Sequence, residues 1–127
     1  MPNEVDRIEV SVLVVDDDEQ ILKCMPRLFH KQPVRLRCAR SAADALVQIE
    51  AERPDLLISD LHMPDVDGLA LLEQVRARWP LVRTVLHTSD GQALPRAAAR
   101  GISVVLKLDA PLKFPALVAE ALALKRL

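Results

Sequence analysis

Four places in this 127-residue chain put a reactive polar side chain directly after a short apolar run. Asp16 and Asp17 follow Val10 to Val15, and Asp60 follows Asp55 to Ser59. Thr88, with Ser89 beside it, follows Val82 to His87, and Lys107 follows Ser103 to Leu106. Taken singly, an Asp in such a place is more often a turn cap than a reactive group. Taken together, the residue types suit one kind of chemistry. Carboxylates about 4 Å apart repel by roughly 4 kcal/mol at an effective dielectric of 20, so a proton or a cation must relieve them. Oxygen-only ligands suit Mg²⁺, with Mn²⁺ as a substitute. A lysine is a point cation for phosphate oxygens, a threonine hydroxyl donates a hydrogen bond, and a carboxylate can form an aspartyl-phosphate. Phosphoryl transfer asks mainly for positioning and charge neutralisation.

These residues meet only if the apolar runs are neighbouring parallel strands. Val10 to Val15 lacks alternation, as expected of a strand covered on both faces. Helical spacing follows in Ile21, Leu22, Met25, Leu28 and Phe29, with Asp18 as N-cap, Pro26 inside and Pro33 as the stop. Val34 to Ala39 alternates apolar and basic residues and reads as a strand near an edge. Ser41 to Asp44 resembles a capping box and opens a second helix through Ala42, Ala45, Leu46 and Ile49. After the central strand and the loop from Asp60 to Asp67, Gly68 opens a third helix with Leu69, Leu72, Val75 and Trp79 inward. A short fourth helix is predicted over Pro95–Arg100, with Pro95 at its start and Gly101 as C-cap. Pro111 and Pro115 bracket a loop, and the last helix runs from about Pro115. Met1 to Glu9 reads as a flexible N-terminus ahead of one domain over residues 10–127.

Strands alternating with helices predict an α/β fold, a doubly wound (βα)5 flavodoxin-like sandwich with parallel sheet order 2-1-3-4-5. All strands then deliver their C-terminal residues to one edge, with the crevice between strands 1 and 3. The length suits one core. Half the residues are apolar and the formal net charge is −1, so disorder and a nucleic-acid role for this domain are not suggested. One Trp, two Phe and no Tyr leave little for stacking on bases or flavins. Cys24 and Cys38 match no zinc or redox spacing and are expected to be buried and reduced, as in a cytoplasmic protein. No signal-peptide pattern and no membrane-length apolar run are present.

Leu13-Val14-Val15-Asp16-Asp17-Asp18, Asp60-Leu61-His62-Met63-Pro64-Asp65-Val66-Asp67-Gly68, Thr88-Ser89 and Lys107 resemble the receiver (phosphoacceptor) domain of bacterial two-component response regulators, a CheY-like fold, over nearly the whole chain. That resemblance implies that Asp60 accepts a phosphoryl group from a histidine kinase or phosphotransfer protein and thereby switches protein contacts. It implies Mg²⁺ on Asp17 and Asp60 and the backbone carbonyl of His62, with Asp16 acting directly or through water. It implies that Thr88 and Lys107 contact the phosphoryl oxygens. It further implies no turnover beyond self-phosphotransfer and slow self-dephosphorylation. The output is a downstream protein or an effector domain, a second copy of the chain is an open partner, and neither nucleic acid nor membrane is contacted directly.

The chain departs from that family at three places. Leu108 stands where a proline usually follows the lysine, so the loop after strand 5 is expected to differ. Val104 stands where many receivers carry an aromatic residue, which excludes an aromatic rotamer switch there. The Thr88-to-Lys107 segment is short and its helix stubby, which points output away from the usual face of helix 4, strand 5 and helix 5, toward loop 4, helix 5 or helix 1. His62 and Asp90, each two residues after a site residue, flank the reacting centre. His62 reads as a solvated loop residue ahead of a ring ligand. His87 is expected to point away from the site, and His30 lies near a helix end where a cation is favoured.

Three other readings compete. A degenerate receiver would bind partners without phosphorylation; all the reactive groups being present argues against it. An aspartyl phosphatase would want an Asp-x-Asp pattern and a cap domain. A flavin carrier would want a Ser/Thr-rich phosphate loop and aromatic cover.

Overall fold

The computed structural model describes residues 8–127, so most of the stretch read as a flexible N-terminus lies outside the described residues. Five strands, β1 (Val10–Val15), β2 (Val34–Ala39), β3 (Leu56–Ser59), β4 (Arg83–Thr88) and β5 (Ser103–Leu106), form one parallel sheet in the order 2-1-3-4-5. The helices between and after them are α1 (Glu19–Leu28), α2 (Ala42–Ala51), α3 (Gly68–Arg78), α4 (Ala93–Ala99) and α5 (Ala110–Lys125). Fold and order are those expected.

Two apolar layers explain why β1 and β3 show no alternation. Leu13, Val15 and Leu57 pack with α2 and α3 on one face. Val12, Val14, Leu56 and Ile58 pack with Met25 of α1, Phe29 just after it, and Phe114 and Val118 of α5 on the other. Side chains alternate between two dry layers rather than between core and solvent. β2 is an edge strand, as its basic residues suggested. Val34 and Leu36 lean on the second layer, while Arg37 donates to the carbonyls of Gln48 (3.4 Å) and Glu52 (2.8 Å) at the end of α2. Arg37 therefore closes a helix C-terminus rather than merely facing water.

Several boundaries differ from expectation. α5 begins at Ala110, five residues early. A 3-10 turn over Lys107–Asp109 leads straight into it. Pro111 sits in the first turn, where its missing N–H costs nothing. The buried stripe Ala110, Phe114, Leu117, Val118 and Ala121 carries the helix through Pro115; tertiary packing outweighs one lost bond. α4 starts at Ala93, so Pro95 is its third residue, not its first. Its end matches the expected glycine: Gly101 takes φ 67, with Gly101 N–H on the Ala98 carbonyl and Ile102 N–H on the Ala97 carbonyl, both 3.0 Å. Thr88 is the last residue of β4, not a loop residue. The largest correction concerns Cys24 and Cys38, which are free thiols but exposed. Cys24 falls off the inward stripe of α1, and Cys38 lies on an edge strand with no strand beyond it.

Gly68 is where chain and site meet most tightly. A Cβ there would lie 1.7 Å from the Asp60 carbonyl oxygen, and the Gly68 N–H donates to the Leu61 carbonyl at 2.8 Å. Gly68→Ala must push the Asp60 loop and α3 apart, at a cost above about 2 kcal/mol in chemical denaturation. Gly91 has open space around it and no positive φ, so Gly91→Ala should stay within about 0.5 kcal/mol of the parent. Equal effects at the two positions would remove the close-approach account of Gly68.

Candidate functional site

Register brings the acids together. Val15 pairs with Ser59, so Asp16 and Asp60 come next on adjacent strands. The Asp60 N–H donates to the Val15 carbonyl (2.9 Å) and the Asp16 N–H to the Ala39 carbonyl (3.0 Å), which continues the ladder one residue past each strand. One carboxylate oxygen from each of Asp16, Asp17 and Asp60 lies within 4.8 Å of the others. Asp16 is 1% exposed and Asp60 8%, while Asp17 is open to solvent. Thr88 (1% exposed) is paired with Leu106, the residue before Lys107. The Lys107 Nζ lies 3.4 Å from Asp60 Oδ1 and 3.8 Å from Asp16 Oδ2. Thus four strand ends bring Asp16, Asp17, Asp60, Thr88 and Lys107 to one crevice.

The electrostatics are those of a site short of positive charge. Burial pushes the Asp16 carboxyl up to about 6, and the charges of Asp60 and Asp17 add to the rise. The Asp18 N–H (2.9 Å to Asp16 Oδ1) and the Lys107 charge only partly offset it. Asp16 Oδ2 is buried without any hydrogen-bond partner. An orphaned carboxylate oxygen beside two further carboxylates fits a hard divalent cation. Asp17 and the loop residues Leu61, His62, Met63, Pro64 and Asp67 line an open groove beside the three acids, through which such an ion with its waters can enter.

A second ring of contacts ties the site to its surroundings. Thr88 Oγ1 accepts from the Asp90 N–H at 3.0 Å. Asp90 Oδ1 accepts from the Gln92 N–H (2.9 Å) ahead of α4. Its other oxygen lies 3.4 Å from His62 Nε2, bridging the two loops. The His62 ring is mostly exposed. Asp67 caps α3 through the Leu69 N–H (2.7 Å) and also accepts from Arg96 of α4 (3.2 Å). Although burial pushes the Asp67 carboxyl up, these donors outweigh it and hold the group below its usual range. The Asp67–Arg96 pair was not legible beforehand, since nothing in a 29-residue separation marks it. His87 points away from the site, as expected from its alternation with Thr88. It is 3% exposed, with its ring 5.0 Å from that of Phe114. Burial, reinforced by the Lys107 charge, holds it down to about 4.

Residues 12–120 match the response regulator receiver domain family. The chain is 36% identical over 93 residues to the DNA-binding transcriptional regulator NtrC of Proteus hauseri, covering 72% of this chain and 20% of that protein. It is 34% identical over 101 residues to the photosynthetic apparatus regulatory protein RegA of Cereibacter sphaeroides, covering 80% of this chain and 55% of RegA. The chain thus spans about a fifth and about half of these relatives. Among solved structures it resembles the signal receiver domain of an HD domain-containing protein from Pseudomonas fluorescens Pf-5, with TM-score 0.82, 28% identity and coverage of 93% and 90% of the two chains. A CheY-like receiver domain protein from Methanospirillum hungatei JF-1 shares the fold at TM-score 0.81 and 23% identity, with coverage of 94% and 98%. Among the described residues no helix is long and apolar enough to cross a membrane.

Two buried groups give opposite pH responses. Asp16 has a raised folded pKa, so in the absence of divalent cation its ionisation should cost stability progressively as pH rises from 3.8 through about 6. Mg²⁺ should therefore raise the melting temperature more at pH 7.5 than at pH 5, and Asp16→Asn should abolish that difference. His87 has a lowered folded pKa, so its contribution is complete above 6.5 and lost as pH falls toward 4. His87→Leu, compared with the parent by urea denaturation at pH 7 and 4.5, should remove about 2 kcal/mol of acid sensitivity. An unchanged pH slope would show that His87 is not the titrating group.

Proposed function

The chain belongs to the response regulator receiver domain family, and on that premise we propose that it is a phosphorylation-controlled switch module with Asp60 as the phosphoryl acceptor. The observation that carries this reading is Lys107 Nζ at 3.4 Å from Asp60 Oδ1 in a crevice with two further carboxylates. One carboxylate carries the lysine, the cluster needs a further cation, and the group to be received is anionic.

In the proposed reaction an Asp60 carboxylate oxygen attacks the phosphorus of a phosphohistidine on a histidine kinase or phosphotransfer protein. The new O–P bond replaces the P–N bond, and the departing imidazole takes up a proton. Asp16, Asp17 and Asp60, with the His62 carbonyl, would hold Mg²⁺, which when bound neutralises charge on the transferring phosphoryl group. Lys107 neutralises charge from the strand-5 side. The buried Thr88 hydroxyl can donate to a phosphoryl oxygen while still accepting from the Asp90 N–H. Thr88 is thereby linked through Asp90 to the start of α4. The chain's own chemistry ends at accepting and slowly losing this group, so no separate substrate is turned over. The output is a partner protein or an effector domain of a longer chain.

Intact mass after incubation with acetyl phosphate should show one added phosphoryl group. The adduct should be absent in Asp60→Asn and absent when Mg²⁺ is chelated, and Lys107→Ala should slow its formation at least tenfold. An adduct that persists in Asp60→Asn would place the acceptor elsewhere. No adduct from acetyl phosphate or from a phosphorylated histidine donor, together with no Mg²⁺ binding by calorimetry, would favour a receiver that binds partners without phosphorylation.

A further inference from the structure

The end of the molecule opposite Asp60 carries an unexplained surface. Helix C-termini converge there, and basic residues in last turns, such as Arg76, Arg78 and Lys125, are accounted for in general by the helix dipole. Most of these cations are also neutralised locally. Arg78 pairs with Glu50, Arg83 with Glu120, Arg100 with Glu73, and Lys125 with Asp55. Two features remain. Arg76 donates to the Arg100 carbonyl at 2.6 Å and lies over Gly101, with no carboxylate partner among the described residues. Leu81, in the turn between α3 and β4, is 97% exposed. It lines one groove with Leu124 (63% exposed), Arg76 and Ser103, and borders a second with Trp79 and Arg53, another arginine without an acidic partner among the described residues.

We propose that this Leu81-centred surface is a docking site for an acidic, apolar segment of a partner protein. An apolar side chain of the partner would lie between Leu81 and Leu124, and a carboxylate would take the free edge of the Arg76 guanidinium. The hydrogen bond to the Arg100 carbonyl already holds that guanidinium in place, so little rotamer freedom is lost on binding. Exposed leucines beside a fixed arginine suit such a segment better than a nucleic acid. A phosphate backbone would want several unneutralised cations, and a single strand would want exposed aromatic faces. The surface is at the far end of every strand from Asp60, so the inference stands whether or not Asp60 is phosphorylated.

The test is selection of a phage-displayed random peptide library against the immobilised chain, followed by fluorescence-polarisation titration of the enriched peptides. Enriched sequences should place Asp or Glu beside Leu, Ile or Phe. Leu81→Asp and Arg76→Glu should each weaken binding at least tenfold, and Asp60→Asn should leave it unchanged. Amide spectra of the variants establish that the fold is kept, which the exposure of Leu81 favours; Leu124→Ser gives an independent probe of the same groove. No enrichment, enriched peptides without acidic residues, or binding that survives Leu81→Asp and Leu124→Ser would overturn the proposal. So would competition by a duplex oligonucleotide, which would make the surface a nucleic-acid site, or a sedimentation shift abolished by Leu81→Asp, which would make it a contact between two copies of this chain.

Discussion

Mutual repulsion among Asp16, Asp17 and Asp60 is the constraint on which the site depends. Acids this close are tolerated only because backbone pairing forces them together. Asp60 extends the hydrogen-bond ladder between β1 and β3 by one residue, and Asp16 that between β1 and β2. The sheet in turn is held by two apolar layers that leave no slack in register, since slipping one residue would exchange the two faces. The energy of burying Val12 to Val15 and Leu56 to Ile58 therefore holds within 4.8 Å of one another carboxylate oxygens that would otherwise separate. Lys107 supplies one compensating charge. Burial, with the neighbouring carboxylates adding to it, raises the Asp16 pKa, and Asp16 Oδ2 has no hydrogen-bond partner, so the cluster has room for a further cation.

Around that strained centre the loops are pinned rather than free. Gly68 lets α3 start against the Asp60 carbonyl, and the Ser59 hydroxyl donates to the same carbonyl at 2.9 Å. Asp67 holds both the start of α3 and Arg96 of α4. Asp90 holds Thr88, the lead-in to α4, and His62. Two aspartates thus connect the Asp60 loop and the Thr88 loop to the same short helix.

Much of this was legible in the chain because the chemistry coincides with the pattern. Each reactive residue ends an apolar run, and parallel topology sends all such ends to one edge, so finding the strands was enough to assemble the site. Misreadings arose where tertiary packing competes with local rules. Pro111 and Pro115 read as a loop, but the stripe through Ala110, Phe114 and Leu117 makes a helix of that segment. Cysteine is usually buried, yet Cys24 misses its helix's inward stripe and Cys38 sits on an edge. Asp67–Arg96 joins a loop to α4 and His62–Asp90 joins two loops, and no periodicity announces such pairs.

The altered face built from α4, β5 and α5 can be understood in the same terms. Val104 is only partly buried against the α3 layer and has no ring to swing inward. α4 is seven residues long and buries only Ala93 and Ala97. A helix anchored by two alanines gains little from the apolar core, at most a fraction of what one buried leucine supplies. Its position is set instead by polar contacts to its neighbours. Asp67 holds Arg96, Glu73 pairs with Arg100, and Arg76 donates to the Arg100 carbonyl. Those contacts run to α3, the helix that begins after the Asp60 loop. In this chain the contacts that join the edge of the sheet at Asp60 to α4 therefore run through charged side chains on α3 and through Asp90, not through a core aromatic. Exposed ion pairs are individually weak and screened by salt, so α4 is held less firmly than α3 or α5, which bury leucine, valine and phenylalanine side chains.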